Sequence, residues 1–539
     1  MSQLRTWAWV FSLLFVAFTC TTSGRVTYPD DEVEVRTAEA IWDRGELDIA
    51  PLALPRPGGG DLRYESFGVT RGVDGRSYGF FGYGLPLVTA PSLALADALS
   101  SLVPGWVRAP RRDLFSFHPR DLRVEMRRLV ITSSNCVIAA LAMVLFGLWL
   151  EMLAVGRATA VATVLVTALA TSWWSYTSTF LSEPLSTVFL LVAVMAAMRW
   201  RRYGEVQSLW LAALTCGLSP HVHLLNVLAA PCIAVYAWSP PVDRPHAVPT
   251  GSRRAVAWIG AMLLGGAGWL SVLGLDAMRF GDPFESGRYD WYAHWVSPIE
   301  ALAAFLIAPG RSLFIYAPPL LVALFGIRRV ARTWPAEAKL ALALVLTRTV
   351  FVAARSDWYG GWGIGPRYLL PILPFAMLPF ALVWTHASKR ARLGIVLLCG
   401  LSTLIAASYA YHSIFEHMSQ LVVRHGDGWE NPSHWRWSET PLAGFLRFDA
   451  PVVERAFAGD LTGAMAAARF DALSFGALRL GLVVGDWSLF GVFGALGALG
   501  LVAAWRLARG LRLPANAPEQ RNSAAHANSN PPLARQPET

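Results

Sequence analysis

Charged residues are scarce in this chain of 539 residues. Asp, Glu, Lys and Arg together make up 15% of it, whereas soluble proteins contain about 25%. Hydrophobic residues reach 54%, and the mean hydropathy is +0.41. The shortage of charge excludes an ordinary soluble enzyme, and the high hydrophobicity excludes disorder over most of the chain. The composition predicts a membrane protein that crosses the bilayer several times.

Nucleotide-binding and metal-binding motifs are also missing. The sequence contains no Walker motif and no dinucleotide-binding glycine fingerprint, so ATP and nucleotide sugars are not expected as direct substrates. The five cysteines show no CxxC spacing, and the histidines show no HExxH spacing, which argues against a zinc site or a disulfide framework. No metal or other cofactor is indicated.

Apolar residues occur in runs that are long enough for membrane-spanning helices. Backbone polar groups in lipid must be paired within the segment, so these runs are predicted to be helical. About twelve spans are expected, at 6–22, 129–150, 157–173, 178–198, 206–219, 222–238, 255–275, 312–327, 338–354, 368–385, 393–411 and 486–505. The segment 85–107 is apolar but interrupted by three prolines, so we interpret it as a surface or re-entrant element.

Membrane topology explains much of the net charge of +9. Tight basic clusters fall on alternate loops, as expected for loops that face the cytoplasm. This pattern predicts cytoplasmic termini, long outer loops at 24–128 and 412–485, and a disordered cytoplasmic tail at 506–539 after the last span. Nucleic acid is not an expected partner.

One basic cluster falls on the predicted outer side, within 108–128. It comprises Arg108, Arg111, Arg112, Arg120, Arg123, Arg127 and Arg128. Anionic carrier phosphates or membrane lipid headgroups would attract such a cluster. The alternative is a solvated amphipathic helix that lies on the bilayer.

Acidic residues open the first outer loop, directly after the first span. Asp30, Asp31 and Glu32 are consecutive, and Glu34 follows. Like charges in contact raise the pKa of at least one carboxyl group, and such a group can act as a general base, a metal ligand or a substrate anchor. Alternatively, these residues form a solvated acidic turn at the start of the helix predicted at 32–44.

This acidic start resembles that of bacterial GT-C glycosyltransferases, the integral-membrane group that includes protein O-mannosyltransferases (glycosyltransferase family 39) and lipid A aminoarabinose transferases. In that group an Asp-Glu pair follows the first span, as Asp31 and Glu32 do here. Further similar segments follow in the same order over about 25–390: Asp74–Tyr78, Gly82–Leu87, Trp173–Tyr176, Ser182–Pro184, Arg279–Gly287, Pro309–Phe314, Tyr316–Pro319, Asp357–Trp362 and Gly365–Pro371. The C-terminal third matches less well, so acceptor recognition stays open.

The resemblance implies an all-α, GT-C-like membrane module over 1–411. It would transfer a sugar, with inversion, from a polyprenyl-phosphate carrier to a lipid, glycan or protein acceptor at the outer face of a bacterial inner membrane. Asp31 occupies the Asp position of the pair and is the expected general base. Asp30 competes for this role, and Glu32 would support it.

The leaving phosphate needs cations that bind it bidentately, which favours arginine. The candidates are Arg367, Arg311, Arg279 and Arg348, of which Arg367 is preferred because it precedes a span at phosphate depth. Tyr83, Glu183 and Asp357 lie in the similar segments and are expected to bind substrate. Trp358 and Trp362 are expected to offer aromatic faces to a sugar ring.

Three alternatives stay open. A transporter or lipid-carrier flippase would also have about twelve spans, although no internal repeat is visible. An enzyme like the O-antigen ligases or polymerases would use arginine and histidine in a late outer loop, where this chain has Arg424, His425, His434 and Arg436. The third alternative is a relative that keeps the fold without the activity.

Overall fold

The protein is a bundle of helices in the computed structural model, which describes residues 2–26, 28–49, 68–102, 122–239, 249–287, 294–485 and 487–511. In chain order the helices are α1 Gln3–Thr21, α2 Pro29–Arg44, α3 Gly84–Thr89, α4 Leu93–Leu102, α5 Leu122–Met152, α6 Arg157–Leu169, α7 Glu183–Tyr203, α8 Val206–Leu218, α9 Ala229–Trp238, α10 Gly251–Phe280, α11 Ile299–Ile307, α12 Leu313–Tyr316, α13 Pro319–Leu324, α14 Ile327–Thr333, α15 Pro335–Ala353, α16 Leu373–His386, α17 Lys389–Tyr411, α18 Ile414–His425, α19 Glu430–Trp435, α20 Pro441–Phe457, α21 Leu461–Ala467, α22 Leu473–Arg479 and α23 Phe490–Leu511. Strands β1 Val69–Arg71 and β2 Ser77–Gly79 form an antiparallel hairpin, with Thr70 opposite Tyr78.

Among the described residues, eight helical segments have the length and apolar composition needed to cross a membrane. They are Gln3–Thr21, Gly84–Leu102, Arg123–Met152, Glu183–Tyr203, Gly251–Phe280, Arg367–His386, Lys389–Tyr411 and Phe490–Leu511. Seven of them coincide with predicted spans, so the prediction of an all-α membrane protein with several spans is confirmed.

The remaining five predicted spans are short, broken or charged, and three of them are already short in the sequence. The spans at 157–173, 206–219 and 222–238 correspond to the short helices α6, α8 and α9. The span at 312–327 is broken into α12 and α13 because consecutive prolines interrupt it. The span at 338–354 is the 19-residue helix α15, which carries three charged side chains. Seven of the predicted spans are therefore long apolar helices in the described part of the chain, and the other five are short, broken or more charged.

The segment Gly84–Leu102 qualifies as a span by composition, but both of its ends lie on one side of the bundle. A Cβ on Gly84 would come 2.6 Å from the side chain of Val222, just beyond the end of α8. Asp97, near the other end, accepts a hydrogen bond from Arg127 at 2.8 Å, near the start of α5. Helices α5 and α7 run side by side in one direction and α8 returns. This geometry supports the predicted surface element. We call this side, which carries α2, the acidic side.

The predicted tail, basic cluster and late outer loop are partly helical, and parts of the first two lie outside the described residues. The predicted disordered tail begins with helix, because α23 continues to Leu511. The rest of the tail and four arginines of the basic cluster (Arg108, Arg111, Arg112 and Arg120) lie outside the described residues. The predicted outer loop 412–485 contains the five helices α18 to α22.

Candidate active site

The acidic residues that follow the first span lie at the start of α2. Pro29 occupies the first helical turn together with Asp30, Asp31 and Glu32, where the helix dipole favours carboxylates. These three acidic residues and Glu34 are each at most 9% exposed. The alternative of a solvated acidic turn is therefore wrong, because these carboxyl groups are packed inside the protein.

Helical spacing divides these residues between two faces of α2. Asp30, Asp31 and Glu34 are separated by one, three and four positions, so they share one face. Glu32 points to the other face, where it binds Arg128 through both carboxylate oxygens and Arg36 at 2.8 Å. The structure therefore brings Asp30 and Asp31 to the site and leaves Glu32 in a separate ion-pair network.

Arg367 joins the acidic face of α2 to the start of α7. One of its nitrogens, Nη2, lies 2.9 Å from Asp30 Oδ2, and Nε lies 3.3 Å from Glu183 Oε1. Arg367 is 6% exposed and begins the 3₁₀ turn Arg367–Ile372, which leads into α16. Asp30 and Glu183, two of the predicted site residues, therefore both contact Arg367, a third predicted site residue, inside the protein.

Asp31 and Glu34 are buried carboxyl groups, and no described Arg, Lys or His forms an ion pair with either of them. Asp31 Oδ2 accepts a hydrogen bond from the backbone N–H of Phe180 at 3.0 Å. Neither Asp31 Oδ1 nor Glu34 Oε2 has a hydrogen-bond partner in the described part of the chain. Burial raises the pKa of Asp31 well above its usual value. Burial, followed by the charge of Asp31, does the same for the pKa of Glu34.

A polar cavity opens beside this group, between α2, the start of α7, the C-terminal part of α10 and the segments 80–83 and 220–224. Its ionisable lining comprises Asp30, Glu34, Tyr83, Glu183, His221, His223, Asp276, Arg279, Arg367 and Tyr368. Asp31 is not part of this lining. Two of the four predicted phosphate-binding arginines, Arg367 and Arg279, face the cavity, as do the predicted substrate-binding residues Tyr83 and Glu183.

Arg279 is held by several groups at the rim of the cavity. Its guanidinium donates to the hydroxyl of Tyr83 at 2.9 Å, to the carbonyl of Gly79 at 3.0 Å and to the carboxylate of Asp276. These contacts fix the β2 end of the hairpin on α10.

Arg311 does not face the cavity. It is 1% exposed and donates to the carbonyls of Gly361 (3.1 Å), Gly363 and Gly365. The guanidinium is therefore wrapped by the glycine-rich loop that precedes Arg367. This places Arg311 in a position to hold that loop, not to contact a phosphate in the cavity.

Arg348 is buried within α15, as its place in a predicted span indicated. It donates to the carbonyl of Tyr368 at 2.6 Å and to the side-chain oxygen of Asn226 at 3.0 Å. Its Nη2 has no partner among the described residues. Arg348 supports the turn that carries Arg367, but it is not part of the cavity lining.

Trp358 and Trp362, which were predicted to offer aromatic faces to a sugar, lie away from the cavity. Asp357 forms a two-pronged ion pair with Arg355, with distances of 2.7 and 2.6 Å. The ring of Trp358 packs on His434, with centroids 5.0 Å apart, and Trp362 packs on nearby aromatic rings. The structure does not bring Asp357, Trp358 or Trp362 to the cavity. They pack the glycine-rich loop against the region around α19.

The described part of the basic cluster is engaged in ion pairs within the protein. Arg127 bridges Asp43 and Asp97 at 2.7 and 2.8 Å. Arg128 binds Glu32, and Arg123 binds Asp97 at 2.9 Å. These arginines fasten α5 to α2 and α4. The predicted attraction to lipid or carrier phosphates is therefore not needed to explain where these three arginines lie.

Sequence reasoning missed Glu34, His221 and Asp276 as cavity residues. The spacing of Glu34 from Asp30 and Asp31 is a signal that could have identified it, because these residues must share a helix face. No pattern in the sequence pointed to His221 or Asp276. Within the described ranges, no group of three or more His, Cys, Asp or Glu side chains is arranged to hold a metal ion.

No family model matches the chain, and no curated protein matches it. Among solved structures, two similar ones are of ArnT from Cupriavidus metallidurans. The crystal structure in the apo state has a TM-score of 0.47 and 14% identity, covering 94% of this chain and 76% of that one. The crystal structure bound to undecaprenyl phosphate has a TM-score of 0.46 and 14% identity, covering 94% and 78%. Similarity at this level does not establish a family.

Proposed function

We propose that this chain is a GT-C-like glycosyltransferase that moves a sugar from a polyprenyl-phosphate-linked donor to a lipid, glycan or protein acceptor. The observation that carries the proposal is the polar cavity on the acidic side, in which buried carboxyl groups and arginines meet at the ends of membrane-spanning helices. We further propose that this side faces outward from a bacterial inner membrane.

The combination of groups suits the transfer reaction. An acceptor hydroxyl needs a carboxylate to remove its proton, and a leaving phosphate needs arginine donors. A guanidinium has five N–H donors, and two nitrogens of Arg367 face Asp30 and Glu183. Arg367 therefore retains donors for a phosphate oxygen. The predicted general-base role of Asp31 stays a prediction.

The face of α10 that borders the cavity continues into an apolar one. Near the acidic side, the cavity-lining residues of α10 are Val272, Leu275, Asp276 and Arg279. Further along the same face, an apolar cavity is lined jointly with α8 and α9 by Trp258, Ala261, Met262, Gly265 and Trp269. These residues recur mostly every three or four positions, as one helix face requires. A ligand with a phosphate head and an isoprenoid tail matches this sequence of surfaces.

The ligase-like alternative finds no support at the cavity. His434 is buried against Trp358, and burial lowers its pKa to about 2, so the ring is neutral and offers no charge to a phosphate. Arg424, His425 and Arg436 are absent from the cavity lining as well. No observation in the described residues favours a transporter over an enzyme.

The proposal is tested by purifying the protein in lipid nanodiscs and supplying a panel of polyprenyl-phosphate sugars with cell-envelope extracts as acceptors. Mass spectrometry should show that one donor is consumed and polyprenyl phosphate released. Arg367→Ala should reduce this rate by about 100-fold or more. Glu205→Gln is the matched control, because this residue lies at the opposite end of α7 and is exposed.

A comparison of glycans, lipids and glycoproteins in cells with and without the protein identifies the acceptor. If no glycoconjugate differs between the two and no donor is consumed in nanodiscs, the proposed function is wrong.

A further inference from the structure

We propose that Arg311 positions Arg367 for the sugar transfer by holding the glycine-rich loop, residues 360–365, in one shape. Arg311 is not part of the cavity lining, so it acts on the reaction through the loop and through Arg367. This inference rests on the proposed function, in which Arg367 faces the phosphate of the donor.

Arg311 is a buried cation whose hydrogen-bond acceptors are neutral. It is 1% exposed, and its two terminal nitrogens donate to the carbonyls of Gly361 at 3.1 Å, Gly363, and Gly365 at 3.4 Å. No carboxylate in the described part of the chain forms an ion pair with it. A buried charge is strongly destabilising unless hydrogen bonds compensate it. The guanidinium therefore needs the loop carbonyls, and these carbonyls are fixed around it.

The loop depends on such contacts because glycine gives its backbone little stiffness. Gly361 and Gly365 have φ values of +64° and +62°, in the left-handed region that residues with a Cβ rarely adopt. A second clamp is Tyr176, whose hydroxyl donates to the carbonyl of Ile364 at 2.9 Å and accepts from the N–H of Ile364 at 2.6 Å. Arg311 and Tyr176 together therefore hold successive residues of the loop.

The C-terminal end of the loop leads directly into Arg367. The backbone N–H of Arg367 donates to the carbonyl of Gly365 at 3.1 Å, and the same carbonyl accepts from Arg311. At the other end of the loop, a Cβ on Gly360 would lie 3.2 Å from the Cβ of Arg367. The guanidinium of Arg367 then contacts two carboxylates of the cavity lining. A shift of the loop would therefore move this guanidinium relative to those carboxylates and to the donor phosphate.

The main chain around Arg311 is itself fixed from outside the loop. The N–H of Gly310 donates to the carbonyl of His434 on α19 at 3.0 Å, and a Cβ on Gly310 would lie 2.0 Å from a backbone oxygen of the same helix. The N–H of Ser312 donates to the carbonyl of Ala308, at the end of α11, at 2.8 Å. Arg311 is therefore anchored to two helices, which gives the loop a fixed point of attachment.

Arg311→Lys tests whether the shape of the guanidinium is needed in addition to its charge. Lysine carries all its donors on one nitrogen at the end of a flexible stem, so it does not span three carbonyls as the guanidinium fork does. The loop should therefore loosen, and Arg367 should bind the donor phosphate less well. In the nanodisc assay we expect the donor KM to rise by about 10-fold and kcat to fall. General destabilisation lowers the amount of folded enzyme and leaves KM unchanged.

Arg201→Lys is the matched control, because Arg201 is also buried and donates to a carbonyl, that of Ser239 at 2.8 Å, at the C-terminal end of α7. Its donor KM should equal that of the wild type. Gly363→Ala perturbs the loop while keeping Arg311, because the new Cβ would lie 2.7 Å from the hydroxyl of Tyr176. KM should rise here as well, and this variant decides if Arg311→Lys does not fold. Wild-type KM and kcat in a folded Arg311→Lys would overturn the proposal.

A second measurement tests the coupling without any donor. Melting temperatures in detergent are compared for Arg311→Lys, Arg367→Ala and the double variant. The loss in the double variant should be smaller than the sum of the single losses, because contacts of Arg367 that are already weakened cannot be lost twice. Arg201→Lys with Arg367→Ala, near opposite ends of α7, should be additive. Additive losses for Arg311 and Arg367 would contradict the proposal, whereas a wild type that transfers no sugar would count against the proposed function.

Discussion

Asp31 is a completely buried carboxyl group, and this has a consequence for stability. Burial raises its pKa in the folded protein well above the value of 3.8 for an exposed Asp. Between those two pKa values the folded state binds more protons than the unfolded state, so the free energy of unfolding decreases as the pH rises. Below about pH 4, where both states are protonated, this contribution is fully favourable.

Asp31→Asn removes this ionisation while keeping the oxygen that accepts from Phe180. The variant should therefore lose less stability than the wild type as the pH rises above about 4. The difference should grow by up to about 1.4 kcal/mol per pH unit until the raised pKa is reached. Thermal unfolding in detergent between pH 4 and 8 measures it. Glu46→Gln, on a partly exposed side chain, should show no such growth, and parallel curves for Asp31→Asn and wild type would contradict the prediction.

At the residue scale, part of the site could be predicted from the sequence. Asp30, Asp31 and Arg367 were expected at one site, and the structure brings them together. The role of Arg311 could not be predicted, because its partners are carbonyl groups 50 or more positions further along the chain. Such contacts depend on the tertiary fold, and no local spacing encodes them.

At the scale of elements, α8 and α10 cross at glycines. A Cβ on Gly217 of α8 would lie 2.3 Å from the backbone oxygen of Gly265 on α10. Two helix backbones can approach this closely only where a side chain is absent. The same pair of helices forms walls of the apolar cavity, so their separation also sets the shape of that cavity.

Gly217→Ala should therefore push α8 away from α10 and destabilise the protein by about 1–3 kcal/mol, the usual cost of overpacking. Thermal unfolding followed by fluorescence-detected size-exclusion chromatography provides the measurement. Gly266→Ala is the matched control, because Gly266 lies on α10 with open space around its Cβ position. Equal melting temperatures for the two variants would show that the crossing tolerates a larger residue.

Hydropathy predicted the long helices, but it did not predict where proline interrupts a helix. The spans α1, α5, α7, α10, α16, α17 and α23 follow from apolar runs alone. The break between α12 and α13 follows from Pro318 and Pro319, which a hydropathy average does not register. The Asp-Glu pair consists of adjacent residues and does not point to Glu34, whereas a helix brings together residues three or four positions apart, such as Asp30, Asp31 and Glu34.

At the scale of the whole molecule, the site is built where segments between helices converge on the acidic side. Tyr176 donates to the carbonyl of Ile364 at 2.9 Å, and the N–H of Leu473 donates to the carbonyl of Thr22 at 2.9 Å. These contacts tie four distant parts of the chain together at one end of the bundle. The orientation of this end in the membrane therefore decides which compartment supplies the acceptor.

We predict that the acidic side faces outward and that Gly84–Leu102 stays on it. In a variant whose five native cysteines are replaced by serine, single cysteines are introduced by Leu102→Cys, Phe457→Cys and Tyr203→Cys. These positions are 74%, 90% and 57% exposed. A maleimide that does not cross membranes should label the first two in intact cells, because the ends of α4 and α20 lie on the acidic side. Tyr203→Cys, at the other end of α7, should react only after the membrane is opened.

The three labelling patterns separate the competing topologies. Labelling at Phe457→Cys without labelling at Leu102→Cys would mean that Gly84–Leu102 crosses the bilayer, as its length and composition alone would allow. Labelling at Tyr203→Cys alone would place the acidic side in the cytoplasm and remove the basis for an acceptor in the outer compartment. The expected pattern would leave Arg367, Asp30 and Glu34 at the outer boundary of the membrane, where the phosphate of a lipid-linked donor must lie.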